Sequence, residues 1–181
     1  MTTSLLPGEA PVSLNEARGW LRLGSSIDDA VVAQLLRAAT SICEAYIGQW
    51  LIVRTAEEIL TLREGRARLT ARPVVAVATV ALMPAGGGEI VLGPGDYALT
   101  IARDGAARLA VAFPGDARQA RISYRAGIAE GVNGIPEAIR QGIVRMTQHL
   151  HDARGGAGET PPAVIAALWQ PWRLLGLGSG R

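Results

Sequence analysis

The residues able to do chemistry are few, and their spacing keeps them apart. The two histidines, His149 and His151, stand two positions apart. On a helix that spacing turns them about 200° from each other, so they cannot grip one metal ion. Cys43 is the single cysteine, which excludes an internal disulfide and a cysteine-based metal cluster. It falls in the middle of an apolar helical stretch, where a thiol is expected to be buried and inert. Glu57 and Glu58 are adjacent in a strand-like segment and would face opposite sides. Asp28-Asp29 suits the positive end of a helix dipole, so neither acidic pair reads as a carboxylate dyad. No Gly-x-Ser-x-Gly elbow occurs. Gly86-Gly87-Gly88 lacks the Lys-Ser/Thr of a phosphate loop and reads as a turn, and the Gly-rich end at 176–180 follows no strand and precedes no helix. The expectation is a non-enzyme, with no catalytic, metal or cofactor site.

What remains are groups suited to contact. Arg63, Arg66, Arg68 and Arg72 form the densest cationic cluster. Two readings stand: a solvated loop, or a contact to DNA phosphate or to an acidic neighbour. Aromatics do not alternate with these arginines, so a base-stacking surface is not indicated. The second contact candidate is Trp169, Trp172, Arg173, Leu174 and Leu175, placed after a Gly-rich break. Trp and Arg are enriched at interface hot spots. This segment either folds back over its own core or docks on a partner.

The elements that must carry these groups follow from pattern. Residues 1–12 read as an N-terminal arm. Ser13-Leu14-Asn15-Glu16 matches a capping box and opens a helix over 13–23. A second helix is expected over 28–47, with Ile27 and Val32 as a staple and Gly48 as its stop. Its apolar residues cover an arc of roughly 200°, where a surface helix needs little more than ~100°. Such a helix is either central in its domain or shared with another subunit; Leu36, Cys43 and Ile47 here, with Val144 and His151 on the last long helix, are the expected subunit-contact residues.

Residues 53–125 read as β-rich, with strands near 53–62, 73–83, 90–92 and 97–101 and alternating patterns through Leu109, Val111 and Phe113 and through Ala120, Ile122 and Tyr124. Asp104-Gly105 signals a hairpin turn. Short strands joined by turns argue for an antiparallel sheet. A helix over 136–154 opens on Pro136, with Ile139, Ile143, Met146, Leu150 and Ala153 in one stripe. Residues 155–181 hold a break, a short helix and the Trp-bearing tail. The fold class is α+β: an N-terminal helical pair, a small antiparallel β insertion, a long C-terminal helix and an extended tail, with 13–154 as the main domain.

Composition fits a packed chain with an aliphatic core. Of 181 residues, 49% are hydrophobic but only 4% aromatic. All 18 basic residues are Arg, and Gly numbers 22, which leans towards a GC-rich bacterial source. Net charge is +2, unevenly spread: residues 1–60 carry 4 Arg against 7 carboxylates, and residues 61–125 carry 9 against 5. That asymmetry reads either as ordinary solvated charge or as polar contacts between neighbouring copies. The first residues lack a signal-peptide pattern, and no apolar run reaches the ~18 residues of a membrane span, so a reducing cytoplasm and no membrane are expected.

The order of elements resembles the head–tail connector (adaptor) family of long-tailed phages and gene transfer agents. The matching pieces are Ser13 to Ala17 with Leu21-Arg22-Leu23, Asp28-Asp29 with the helix ending Glu44-Ala45-Tyr46-Ile47-Gly48, and Arg72-Pro73-Val74 entering a Val-rich strand. Tyr124-Arg125-Ala126-Gly127, then Ile135 to Ile139, a helix ending in Arg154, and Pro162-Ala163-Val164 to Trp172-Arg173 complete the series. His149-Leu150-His151-Asp152 departs from relatives, which often carry an aromatic before the Arg. The resemblance implies a self-assembled ring, usually twelvefold, beneath a portal protein. It implies a platform for a stopper or tail-completion protein, and double-stranded DNA passing through the channel without sequence recognition. Assembly would take place in the bacterial host cytoplasm, ending in the neck of the particle. A DNA-binding accessory protein of a phage or prophage is the alternative.

Overall fold

In a computed structural model of the chain, residues 3–4, 9–22, 29–152 and 160–174 are described. The chain divides into two compact units, Met1–Leu6 with Val53–Ile128, and Pro7–Ile52 with Ala129–Arg181. The first is built of strands and the second of helices. The expected α+β class therefore holds.

Strand β1 (Thr3–Ser4) opens the chain; β2 (Arg54–Thr61), β3 (Arg66–Arg68), β4 (Val74–Met83), β5 (Ile90–Val91), β6 (Tyr97–Ile101), β7 (Ala107–Val111) and β8 (Gln119–Ala126) follow. They form a five-stranded sheet in the order β1-β2-β8-β4-β5 and a three-stranded sheet in the order β3-β7-β6. All pairs of named strands are antiparallel. Alternation explains why β8 is central: Ala120, Ile122, Tyr124 and Ala126 are buried, and the residues between them face outward. The Asp104-Gly105 turn joins β6 to β7, as its sequence signals. Gly105 has φ +72°, and a Cβ there would drive into Pro73, so a side chain is excluded on both counts.

Two sequence expectations fail in this unit. Phe113 does not continue the buried alternation of Leu109 and Val111: it lies beyond β7 and is 90% exposed. The Arg63–Arg72 stretch is not one loop, because Arg66–Arg68 pairs with β7. Its charged side chains hide the strand from an apolar-alternation test.

The adjacent glutamates separate as strand geometry requires. Glu57 lies on the outer face with Arg121 at 3.2 Å, while Glu58 is buried. Glu58 is fully engaged: the Tyr124 hydroxyl donates to its Oε1 at 2.8 Å, and the Thr70 N–H donates to Oε2 at 3.1 Å. The Ala71 N–H in turn donates to the Tyr124 hydroxyl oxygen at 2.8 Å. A buried carboxylate is tolerated because donors surround it, and here it ties the chain after β3 to the main sheet. Burial, reinforced by the hydrogen bond and negative charge of Glu58, pushes the Tyr124 hydroxyl well above its ordinary pKa.

The helical unit holds α1 (Leu14–Leu21), α2 (Asp29–Ile47), α3 (Glu137–Asp152) and α4 (Ala163–Trp169), followed by a 3-10 turn at Gln170–Trp172. Ser13 caps α1 as the sequence indicates, its Oγ accepting from the Glu16 N–H at 3.1 Å. Glu16 also pairs with Arg140 of α3 at 2.8 Å, and Arg18 pairs with Asp29 of α2 at 2.9 Å. Gly48, at φ +71°, ends α2. The Ile27 staple, the Leu23 helix end, Ala153 and the Gly-rich break lie outside the described residues.

By length and composition α2 could cross a membrane. Its residues Val32, Leu36, Ala39, Thr40, Cys43 and Ile47 are instead buried in the unit's own core, packed towards α1, α3 and α4.

Candidate assembly surfaces

The subunit-contact residues read from the sequence need correction. Leu36, Cys43 and Ile47 of α2 and Val144 of α3 are core residues, at most 3% exposed. Burial also pushes the Cys43 thiol far above its ordinary pKa, with Glu44 adding to the effect, which favours the protonated form. His151 is half-buried on α3, its Nδ1 3.4 Å from Asp152. Neither histidine joins a metal-ligating group of three among the described residues.

The wide apolar arc of α2 has a second part. Val31, Leu35, Ala38, Ile42 and Ala45 recur at 4-3-4-3 spacing, and each is exposed or half-buried. At 100° per residue this row is centred about 120° from the buried row. So α2 presents one apolar stripe to its own core and another to its surroundings. The sequence holds both, but periodicity cannot say which row the chain itself covers.

The tail resolves similarly. Trp169 is fully buried, its ring set against Gly142 of α3 and its Nε1–H donating to the Ile139 carbonyl at 3.2 Å. It is a core residue, not a docking residue. Beyond it the tail is held on the C-terminal end of α2. The Tyr46 hydroxyl donates to Gln170 at 2.8 Å, Gln49 Nε2 donates to the Trp172 carbonyl at 2.7 Å, and the Leu174 N–H donates to the Ile47 carbonyl at 2.9 Å. The Arg173 guanidinium lies 4.9 Å from the Tyr46 ring centroid. Trp172 and Arg173 are left exposed at this corner. Leu175 lies outside the described residues.

In the β unit, Arg63, Arg66 and Arg68 do converge. They line an open cavity of about 810 Å³ with Arg108 of β7, Thr100 of β6 and an aliphatic floor that includes Ile59 and Ala110. Arg72 is not among them; its guanidinium is 3.9 Å from Asp104. Arg108 is the member that sequence reading misses, because it lies 40 or more positions from the other three and only the β3–β7 register brings it opposite Arg68. The cavity lining contains no carboxylate.

The fold recurs over the full length of the chain in solved structures. The chain superposes on a chain from the neck of an empty gene transfer agent particle, computed with C6 symmetry, with TM-score 0.77, 23% identity and 100% of both chains covered. The fold is one found in gene transfer agent necks. A chain from the virion of a native gene transfer agent particle gives 0.76 with 21% identity over 99% of each chain. A chain from the neck of a native particle, computed with C12 symmetry, gives 0.74 with 20% identity over 100% of both. No protein-family model matches the chain, and no curated protein does.

Proposed function

We propose that this chain is a structural neck component, a head–tail connector subunit that closes into a ring beneath the portal of a phage-like particle. The ring would extend the DNA channel and give tail components their platform, without cofactor or catalysis. The observation that carries the reading is the end-to-end likeness to neck chains, one of them from a neck computed with C12 symmetry.

The surfaces support it. A ring uses a heterologous contact, two different patches on each copy that close by rotation. The Val31–Leu35–Ala38–Ile42–Ala45 stripe of α2 is an apolar patch available for one side of that contact. Trp172 and Arg173, pinned at the corner beyond α2, are the portal-docking pair in this reading. Assembly would take place in the host cytoplasm and leave the protein in the neck of the particle.

The test is the solution mass of the protein, alone and with its portal protein, for the wild type and for Val31→Glu/Ile42→Glu. Wild type should form a large ring, alone or on the portal, and the α2 variant should stay a folded monomer. A wild-type monomer that ignores the portal would refute the connector reading. A ring formed equally well by the α2 variant would refute the stripe as its contact.

A further inference from the structure

The arginine groove of the β unit gathers like charges that no carboxylate neutralises among the described residues. Arg68 of β3 lies directly opposite Arg108 of β7. The flanking bonds, Leu69 N–H to the Ala107 carbonyl at 3.0 Å and Val111 N–H to the Gly65 carbonyl at 2.8 Å, fix the alternation of the ladder. They put the Arg68–Arg108 pair at a non-hydrogen-bonded position, where opposed Cα atoms are about 4.5 Å apart and side chains come closest. Like charges directly opposite one another destabilise a sheet. Arg66 stands two residues along the same face, and Arg63 stands at the turn into β3. None of the four forms a salt bridge among the described residues, and Arg72, the neighbouring arginine that does face a carboxylate, lies outside the groove.

An anion is the occupant that offsets this arrangement, and geometry narrows its kind. Arg66 and Arg68 are about 6.6–6.8 Å apart along the strand, the repeat of alternate residues on any extended chain. Carboxylates at alternate positions of an extended segment therefore match them one to one. One such carboxylate would also sit between Arg68 and Arg108, where a guanidinium fork binds it in two places. The groove is concave with an aliphatic floor, which favours the carbon stems of a peptide over a hydrated, convex duplex. β3 has β7 as its single neighbour in the sheet, but Arg63 already takes both outward backbone groups of Arg66, so the groove must hold its occupant mainly through the arginine side chains.

We propose that this groove docks an extended acidic segment of a partner protein, with carboxylates at alternate positions lying along β3. The proposal stands on the groove alone and does not depend on the neck reading. Titrating the full-length protein into a labelled ten-residue peptide of alternating Glu and Thr, followed by fluorescence anisotropy, tests it. A peptide of the same composition with its glutamates in one block, and a 20-base-pair duplex, serve as competitors. The alternating peptide should bind, and Arg68→Glu or Arg108→Glu should weaken it at least tenfold. Arg103→Glu, an exposed change outside the groove lining, should leave binding within twofold. Circular dichroism checks that each variant is folded, and Arg68→Gln repeats the test without charge reversal. Failure of the alternating peptide to bind overturns the proposal. So does equal binding of the blocked peptide, or preferential binding of the duplex with the same arginine dependence.

Discussion

Gly142→Ala sets two well-characterised effects against each other. Gly142 lies in the middle of α3, and by helix propensity alone alanine there should stabilise by about 0.8–1 kcal/mol. The structure predicts the opposite sign. A Cβ at 142 would lie 2.7 Å from Cε2 and 2.9 Å from Cδ1 of Trp169, with the indole nitrogen nearer still. The ring cannot slide away without lengthening its 3.2 Å hydrogen bond to the Ile139 carbonyl. Overpacking of this kind costs about 1–3 kcal/mol, and three ring atoms inside the contact limit place this site near the upper end. Subtracting the propensity gain leaves a net loss of roughly 2 kcal/mol, about 30-fold in the folded-to-unfolded ratio. With a urea slope near 2 kcal/mol/M the unfolding midpoint should fall by about 1 M. Limited proteolysis mapped by mass spectrometry should show new cleavage within 160–174, because α4 and the tail are held through Trp169. A Gly142→Ala protein as stable as wild type, with α4 equally protected, would refute the packing described for Trp169.

Tyr124→Phe should cost about 2–3 kcal/mol in chemical unfolding, since it leaves the Ala71 N–H without its acceptor and takes a donor from buried Glu58. The pH dependence follows from the same hydroxyl. Its folded pKa lies above the ordinary value of 10.0, so its stabilisation is complete below about pH 10 and is lost as pH rises further, because the unfolded chain releases the proton first. Tyr124→Phe should flatten that alkaline decline in urea unfolding midpoints measured from pH 8 to 11. Cys43 should resist thiol reagents at neutral pH and react at the rate of global opening, and prompt labelling of the folded protein would contradict its burial. Truncation before α4 should give unstable protein, because it uncovers the Ile139–Gly142 surface; Trp172→Ala/Arg173→Glu should instead leave the unfolding free energy within about 0.5 kcal/mol while abolishing the proposed portal binding.

The elements of this chain were legible because local signals mark them. The Ser13 cap, the Gly48 stop and the Asp104-Gly105 turn each act within a few residues, and each is where the sequence places it. Partner choice was not legible. The α2 arc showed more apolar surface than one contact needs, yet assigning Leu36, Cys43 and Ile47 to a neighbour was wrong because the chain's own helices cover that row. The row left over, Val31 to Ala45, has the same spacing and the same residue types. Only the three-dimensional positions of α1, α3 and α4 distinguish them, and α4 is anchored on α3 by Trp169 against Gly142, about thirty residues apart in sequence.

The arginines teach the same lesson from the polar side. The local cluster Arg63–Arg66–Arg68 was visible as charge density, but what makes it a site is Arg108, delivered by strand register. Arg72, four residues from Arg68, instead faces Asp104 of the β6–β7 turn. Charge density along a sequence thus measures neither the strength nor the membership of an anion site. The quantity that matters is the number of cations sharing a concave face without an internal carboxylate, and in this fold four arginines on one groove meet that condition. A single reversal at Arg108 should therefore change anion binding as much as one at Arg68, although nothing in the local sequence around Arg108 sets it apart.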